Sequence, residues 1–380
     1  MSTLKVDTVE HPTSSSAVDL PNKLKIGGAT VEQGYTASGS EPGSANTGDW
    51  WWDTSNNKLY RYINGEFKLL GLVAPNVQYG DRGFAFGAGS TPNQIQYIDI
   101  TSAGNAQDFG DLLASTTSDP AGYSNGARAC SAGGNISGMD NDTIQYWASA
   151  TLGNASDFGN LVVARYSCSG CSDGTYGLTF GGYGNEGSGN GDLNNIEYVT
   201  IATTGNGTDF GDMVANDGRG GASTANATRG IRFAGQGGAN DSIQYVTIAT
   251  PGNATDFGDL THPREYTSAF ADSTRACCAG GDSDTGGNTN TYNTNVIDYV
   301  TIANTGNATD FGDMTNSKRR VAATSNFTRG VIFGGTTGTG SSDQVNNIDF
   351  VVIQTTANAS DFGDLLSTAR SMGATSGAAA

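Results

Sequence analysis

Residues 297–313 read Ile-Asp-Tyr-Val-Thr-Ile-Ala-Asn-Thr-Gly-Asn-Ala-Thr-Asp-Phe-Gly-Asp, and the chain repeats this pattern six times. Each copy has an Ile-x-aromatic triplet and an Asp-Phe-Gly triplet whose Phe lies twelve residues after the aromatic. Successive Phe residues are 49, 52, 47, 54 and 51 positions apart. Repeats of this length are typical of propellers and solenoids, where each unit buries its apolar face against its neighbours. The pairs are Tyr97/Phe109, Tyr146/Phe158, Tyr198/Phe210, Tyr245/Phe257, Tyr299/Phe311 and Phe350/Phe362.

Each repeat contains signals for four short strands. A strand ends in Gly-Gly or a close variant, a loop follows, and the Ile-x-aromatic strand then alternates apolar and polar residues. A Gly-Asn-Ala-Thr type of turn leads to the Asp-Phe-Gly strand, and a small, polar strand comes last. Four strands per repeat predict a propeller blade, with the Phe in the core between blades and the Gly at a tight bend.

The ends of the chain predict how the blades close. The first copy begins at the Gly-Gly strand (82–87), and the chain ends with an extra small-residue strand (369–375). Pairing of these two segments would leave no open sheet edge. We therefore expect an all-β fold: a six-bladed propeller closed by N- and C-terminal strands, preceded by an extended segment and a small β-hairpin module.

Composition agrees with an all-β chain. It contains 56 Gly but only 8 Pro among 380 residues, and no window keeps a 3.6-residue apolar period. The net charge of −18 excludes the basic stripe that a nucleic-acid-binding protein needs. The N-terminus lacks the apolar run of a secretion signal and no segment is apolar enough to span a bilayer, so we expect synthesis in a cytoplasm without membrane insertion.

We divide the chain into residues 1–45, a polar docking segment; 46–76, an aromatic three-stranded meander; and 77–380, the propeller. Asn64-Gly65 is a preferred pair for a hairpin turn in the meander. Three adjacent tryptophans exceed what so small a unit can bury, which indicates that some of them pack on another subunit or domain. The docking candidates are Leu4, Val6, Trp50, Trp51 and Trp52.

Length variation is concentrated in one loop per repeat, between the glycine pair and the Ile-x-aromatic strand. This loop has 15 residues in the fifth repeat, whereas the aromatic-to-Phe spacing never changes. Insertions at one position per repeat fall on one face, often the binding face. The candidate contact residues in the longest loops are Asp282, Asp284, Asn288, Asn290, Tyr292, Tyr183, Asn185, Asn190, Thr336 and Ser341.

The pattern gives little support to catalysis or to a cofactor. Six Asp-Phe-Gly copies without a phosphate loop do not make a kinase, and with only His11 and His262 a histidine-based triad or a copper centre lacks parts. The Asp282–Gly286 and Asp140–Asp142 stretches are oxygen-rich like calcium loops but lack the twelve-residue spacing. We expect five buried free cysteines, no bound metal or cofactor and no enzymatic activity. The arginine that opens the Gly-Gly strand in five repeats is assigned to pairing with the repeated Asp carboxylates.

The repeat resembles the kelch repeat: a Gly-Gly after an apolar strand, an aromatic strand, a later aromatic, then an arginine. Phe311 stands in place of that family's Trp, and Arg320 resembles its following Arg. The full phrase is similar to repeats in virion proteins of marine, especially cyanobacterial, phages. Segments 2–8 and 48–60 are similar to attachment and hairpin segments of phage tail fibres.

The resemblance implies a place on a virus particle. It implies a tail fibre or appendage, oligomeric and most simply trimeric, held to other virion proteins by its N-terminus and binding a host glycan or protein through the loops. An architectural connector or decoration without receptor binding is the alternative from another class. A polysaccharide depolymerase stays open too, because paired carboxylates are abundant although none is singled out.

Overall fold

The computed structural model forms two units, Met1–Ala74 and Pro75–Ala380. The structure describes residues 25–26, 29–30, 35–38, 40–45, 49–53, 58–63, 65–72, 80–87, 91–187, 189–214, 218–236, 241–283, 292–338 and 341–378. The finer division of the first unit at residue 45 remains a prediction. None of these residues belongs to a helix that is long and apolar enough to cross a membrane.

The described residues of the first unit form six strands: β1 Lys25–Ile26, β2 Ala29–Thr30, β3 Tyr35–Ser38, β4 Trp50–Asp53, β5 Lys58–Ile63 and β6 Glu66–Leu72. β4, β5 and β6 form the predicted antiparallel meander, and β3 adds a parallel fourth strand to it. Trp51 is buried, stacks on Tyr60 at 4.7 Å between ring centroids, and meets Phe67 at 5.4 Å. Its Nε1 donates to the Ser38 carbonyl at 3.2 Å, so β3 supplies the partner that this buried indole requires.

The second unit is built from short strands. Repeats one to three contribute β7 Arg82–Phe86, β8 Gln94–Asp99, β9 Gln107–Asp111, β10 Ala121–Ser124, β11 Arg128–Ala132, β12 Asn135–Ile136, β13 Met139–Ala148, β14 Ser156–Tyr166, β15 Ser169–Ser172, β16 Tyr176–Phe180, β17 Tyr183–Asn185, β18 Asn190–Asp192, β19 Asn195–Thr200 and β20 Thr208–Asp212.

The remaining repeats continue the series to the end of the chain. They contribute β21 Ala222–Ala225, β22 Arg229–Phe233, β23 Ser242–Thr247, β24 Thr255–Asp259, β25 Ser268–Ala271, β26 Arg275–Ala279, β27 Asp282–Ser283, β28 Tyr292–Asn293, β29 Val296–Thr301, β30 Thr309–Asp313, β31 Ala322–Ser325, β32 Arg329–Phe333, β33 Asn347–Val352, β34 Ser360–Asp364 and β35 Gly373–Gly377. Among the described residues, the 3-10 turn Ser341–Asp343 is the one helical element, as the composition predicted.

The sheets follow one another in a propeller-like ring. Five have four antiparallel strands: β35-β7-β8-β9, β15-β16-β19-β20, β21-β22-β23-β24, β25-β26-β29-β30 and β31-β32-β33-β34. The strands β10, β11, β13 and β14 of the second repeat instead belong to a seven-stranded sheet with β12, β17 and β18. The predicted count of six four-stranded blades is therefore wrong, and five such blades are present. The reason is that β14 runs on to Tyr166 and pairs with β17 of the next repeat.

The Asp-Phe-Gly triplet is a β-bulge. In the fifth repeat Ile297 pairs with Gly312 and Asp298 pairs with Asp310, so Phe311 is the extra residue of its strand. A bulge bends a strand and redirects the side chain, and the Phe311 ring is buried. It meets Tyr299 edge-on at 6.0 Å and packs with Val321 and other apolar residues of the sixth repeat. This confirms the prediction that the repeated Phe fills the core between neighbouring sheets.

The Asn of each Gly-Asn turn forms a hydrogen bond with the backbone of the preceding repeat. The Asn154 Oδ1 accepts a hydrogen bond from the Asp111 backbone N–H at 3.1 Å, and the Ala155 N–H donates to the Asp111 carbonyl at 2.8 Å. The same amide contact recurs at 3.0–3.2 Å in the pairs Asn206/Asn160, Asn253/Asp212, Asn307/Asp259, Asn358/Asp313 and Asn105/Asp364. The Asn of these turns therefore has a structural role in the repeat.

Candidate binding face

The small, polar strands β10, β15, β21, β25, β31 and β35 each begin a sheet, and we call them the first, or innermost, strands. The loops after the glycine pairs lie at the same end of the second unit as the residues that precede these first strands. Backbone bridges join Thr117 to Asn135, Glu265 to Asp282 and Arg319 to Thr336. We call this end the loop face. The prediction that the variable loops share one face is in accord with these bridges.

A ring of backbone hydrogen bonds surrounds the centre of the loop face. Six residues, each two positions before the innermost strand of a sheet, donate their N–H groups to this ring, and all have a positive φ between 49° and 71°; Ser118 also takes part, as the acceptor for Ser167. The Tyr266 N–H donates to the Gly220 carbonyl at 2.5 Å, the Arg320 N–H to the Tyr266 carbonyl at 2.9 Å, and the Ser371 N–H to the Arg320 carbonyl at 3.0 Å. We call these residues the mouth ring: Asp119, Ser167, Gly220, Tyr266, Arg320 and Ser371.

Two small cavities lie at and beneath the mouth ring, and five mouth-ring residues line the first of them. The first has a volume of about 70 Å³ and the second about 40 Å³, and both are lined by residues at or beside the strands β10, β15, β21, β25, β31 and β35. Their lining is mostly glycine, alanine, serine and threonine. Cavities of this size and polarity suit a few water molecules, so a larger ligand would bind at the mouth itself.

Side chains of the mouth ring contact each other across the opening. The Arg320 guanidinium lies 3.9 Å from the centre of the Tyr266 ring, donates to the Ser371 Oγ at 3.3 Å, and is 4.0 Å from the Asp119 carboxylate. The Ser167 Oγ donates to Asp119 at 3.3 Å. Burial raises the pKa of Asp119, and Arg320 only partly offsets that rise.

Four of the six positions just before a mouth-ring residue are charged: Arg219, Glu265, Arg319 and Arg370. Arg219 pairs with Asp192 at 3.2 Å and covers the Tyr183 ring at 5.0 Å. Arg319 pairs with the buried Asp282, whereas Arg370 has no hydrogen bond or ion pair within the described residues. With Arg320, four arginines therefore meet at the mouth of an otherwise acidic protein.

Three buried ion pairs support this face from below. The carboxylate in each is the middle residue of an Ile-x-aromatic triplet, and its partner lies two residues before the mouth ring: Arg165–Glu197, Arg264–Asp298 at 2.9 Å and Lys318–Asp349 at 2.9 Å. All six side chains are almost fully buried. Where the triplet carries Gln96 or Gln244, the partner position holds the uncharged Ala369 or Gly218. A charged residue at one of these two positions is thus accompanied by the opposite charge at the other.

The predicted contact residues are in different environments. Asn185 and Asn190 are exposed at the β17–β18 turn, and Tyr183 is half-buried beside Tyr166. Asp282 and Thr336 are buried: Asp282 holds Arg319, and Thr336 bridges Arg319 in the backbone. These two support the face and do not offer their side chains to a ligand, because solvent does not reach them.

The other predicted positions are only partly described. Tyr292 lies in β28 and Ser341 in the 3-10 turn. Asp284, Asn288 and Asn290 lie outside the described residues, as do Leu4 and Val6. Trp50 and Trp52 flank Trp51 in β4, and Trp51 is held inside its own unit. The docking role of these residues stays a prediction.

The repeated arginines have another role than the one predicted. Each stacks on the aromatic residue of its own triplet and donates to a carbonyl of a neighbouring repeat, instead of pairing with the repeated carboxylates. Arg275 lies 4.5 Å from the Tyr299 ring centre and donates to the Ile353 carbonyl at 3.0 Å. The same holds for Arg82, Arg128, Arg229 and Arg329.

The chemistry available at the loop face is charge and hydrogen bonding. All five cysteines are free and buried, as predicted, and burial raises the pKa of Cys168 to about 11. Within the described residues no group of three His, Cys, Asp or Glu side chains could hold a metal ion. The mouth ring was missed by sequence reasoning because its positions carry Asp, Ser, Gly, Tyr, Arg and Ser, which form no recurring pattern.

Comparison with known proteins found no match: the sequence matches no protein-family model and no curated protein.

Proposed function

We propose that the chain is a phage virion structural protein, a tail fibre or related appendage, whose loop face attaches to the host cell without catalysing a reaction. The observation that carries the proposal is the gathering of the variable loops and the arginine-rich mouth at one end of the second unit. The invariant residues are used in contacts between repeats, which leaves the loop face as the variable surface. Conserved frames that carry variable loops are typical of binding proteins.

The finer assignments belong to the same proposal. A kelch-like repeat, a cyanobacterial phage as source, a trimeric assembly and a virion-docking N-terminus all follow from the resemblance of the sequence. The strand β35 pairs with β7, which supports a ring joined by the two ends of the repeat region. The contact between Asn105 and Asp364 supports it independently.

Binding of labelled full-length protein to cyanobacterial host cells tests the proposal. Replacing residues 186–190 with a Gly/Ser segment of equal length is expected to reduce cell binding, because Glu186, Gly187, Gly189 and Asn190 are exposed. Phe327→Ser is the matched control, because Phe327 is exposed in the β31–β32 turn at the opposite end. Absence of cell binding by the unaltered protein, or equal binding by the tip variant, would contradict host attachment.

One observation favours an architectural role as a second candidate. Leu113, Val214 and Leu366 follow the outer strands β9, β20 and β34, and Val162 lies at the equivalent position inside the longer β14; all four are about half exposed or more. The equivalent residues in the other repeats are Thr261 and Thr315. Exposed aliphatic residues on one side indicate a surface that packs on another protein.

The double variant Val162→Thr and Val214→Thr separates the two roles. If the surface joins another virion protein, the variant is expected to bind host cells normally but to be lost from assembled particles. Normal incorporation into particles would remove the support for the architectural candidate.

A further inference from the structure

The mouth of the loop face concentrates positive charge in a chain whose net charge is −18. Arg219, Arg319, Arg320 and Arg370 occupy the mouth ring or the position before it, together with the carboxylates of Asp119 and Glu265. Two of these arginines already have close carboxylate partners, Asp192 and Asp282. Arg320 and Arg370 are therefore the arginines that can accept an additional anion.

Within the described residues, Arg370 lacks the close partner that each of the other three arginines has. It is half-buried, and neither a hydrogen bond nor an ion pair engages its guanidinium in the part of the chain that the structure describes. Burial lowers the pKa of Arg370 most, repulsion from Arg320 and Arg319 lowers it further, and the carboxylates of Asp119 and Asp343 offset part of the fall. Arg320 is held only loosely by Asp119, at 4.0 Å. An anion between Arg320 and Arg370 would relieve this repulsion.

Aromatic and hydroxyl groups surround the same charge. The Tyr266 ring lies under Arg320, and Tyr166 and Tyr183 meet at 5.4 Å beside Arg219. Ser167 and Ser371 add hydroxyl groups at the ring. Flat apolar rings beside hydrogen-bonding groups suit the two sides of a sugar, and a planar guanidinium suits a carboxylate because it can donate two parallel hydrogen bonds.

We propose that the mouth of the loop face binds an acidic sugar, with the carboxylate of a uronic acid residue held by Arg370 and Arg320 beside Tyr266. The proposal rests on the proposed host attachment and names its ligand class, a carboxylate-bearing surface polysaccharide. The cavity beneath is too small for a sugar ring, so the ligand lies across the mouth and the loops contact the rest of the glycan.

Titration calorimetry with the full chain tests the site, with a hexamer of galacturonic acid as probe and a neutral galactose hexamer as its matched control. The acidic hexamer is expected to bind and the neutral one to bind at least tenfold more weakly. Arg370→Gln is expected to weaken binding of the acidic hexamer about tenfold, the loss of one charged hydrogen-bonding partner. Arg370→Lys keeps the positive charge but cannot donate two parallel hydrogen bonds to a carboxylate. This variant should bind the acidic hexamer with intermediate affinity.

Arg128→Gln is the control variant, because Arg128 lies at the opposite end over the Tyr146 ring. It should bind the acidic hexamer as the unaltered chain does. Thermal unfolding of each variant shows whether it is folded. No binding of the acidic hexamer, equal binding of the neutral one, or an equal loss in the two arginine-to-glutamine variants would overturn the proposal.

This result can be separated from the test of host attachment. If cells bind the unaltered protein and Arg370→Gln alike, the acidic-sugar site is wrong and attachment through the loops stands. If the acidic hexamer binds and cells do not, the site stands and host attachment fails.

Discussion

The Asn105 Oδ1 accepts a hydrogen bond from the Asp364 backbone N–H at 3.1 Å, although 259 positions separate the two residues. The turn of the first repeat thereby holds the outer strand of the last one. Each other repeat holds its predecessor in the same way, with Asn154 on Asp111 as the first example. The most regular phrase of the sequence is thus a contact between repeats, which explains why its spacing is fixed.

The hydrogen bond that the turn Asn accepts is expected to stabilise the repeat that it contacts. Asn307→Ala removes the acceptor for the Asp259 N–H and should lower the free energy of unfolding by about 1 kcal/mol, the usual net value of one hydrogen bond. Urea denaturation measures the change. Asn304→Ala, an exposed position in the same turn, serves as control and should cost much less. Equal losses in the two variants would show that the side-chain contact does not matter.

The buried pair Lys318–Asp349 is expected to tolerate loss of both charges better than loss of one. Lys318→Ala leaves Asp349 buried without its partner and should destabilise the fold by about 3–5 kcal/mol. Adding Asp349→Gln reproduces the uncharged combination of Ala369 and Gln96 and should recover a large part of that loss. Chemical denaturation of the single and double variants decides this. A double variant no more stable than Lys318→Ala would refute the matching of charges.

The glycine of the bulge is expected to resist substitution. Gly312 has a φ of +141°, and a Cβ there would lie 2.6 Å from the Ala357 carbonyl oxygen. Backbone strain alone costs about 1–3 kcal/mol, so Gly312→Ala should lower the stability by at least that amount. Gly252→Ala is the control, since a Cβ at Gly252 meets no atom within 4 Å. Comparable melting temperatures for the two variants would exclude this role.

Stability should depend on pH through Asp119. Burial raises the pKa of Asp119 above the ordinary 3.8, so the folded state favours the protonated acid. That favourable contribution is complete below the unfolded pKa and is lost as the pH rises through the folded pKa. Asp119→Asn should therefore be more stable than the unaltered chain at pH 7 and similar to it at pH 3. Denaturant titrations at both pH values test the sign, and a variant that is less stable at pH 7 contradicts it.

The repeat unit could be predicted because period and spacing encode it. The buried Phe311, the glycine bend and the strand order all follow from residues that recur in register. The middle residue of the triplet could not be assigned in this way. Alternation places Asp298 on the opposite side of the strand from Ile297, yet both are buried, because each sheet is covered on two sides by its neighbours.

Two other features depended on packing that the sequence does not reveal. The arginines and carboxylates recur together, and only the folded arrangement shows that Arg275 lies over Tyr299. The joining of the second and third repeats depends on pairing of Tyr166 with Tyr183 across a loop of variable length. Because such a pairing joins only one pair of neighbouring repeats, it produces no periodic pattern in the sequence.

The mouth ring is held by main-chain hydrogen bonds, and its six positions carry Asp, Ser, Gly, Tyr, Arg and Ser in the same left-handed conformation. The frame therefore does not depend on which side chain stands there. Single substitutions at this ring could change what the protein recognises while leaving the neighbouring sheets intact. In evolutionary terms, specificity can drift at the centre of the face residue by residue, in addition to the coarser changes that loop insertions bring at its edge.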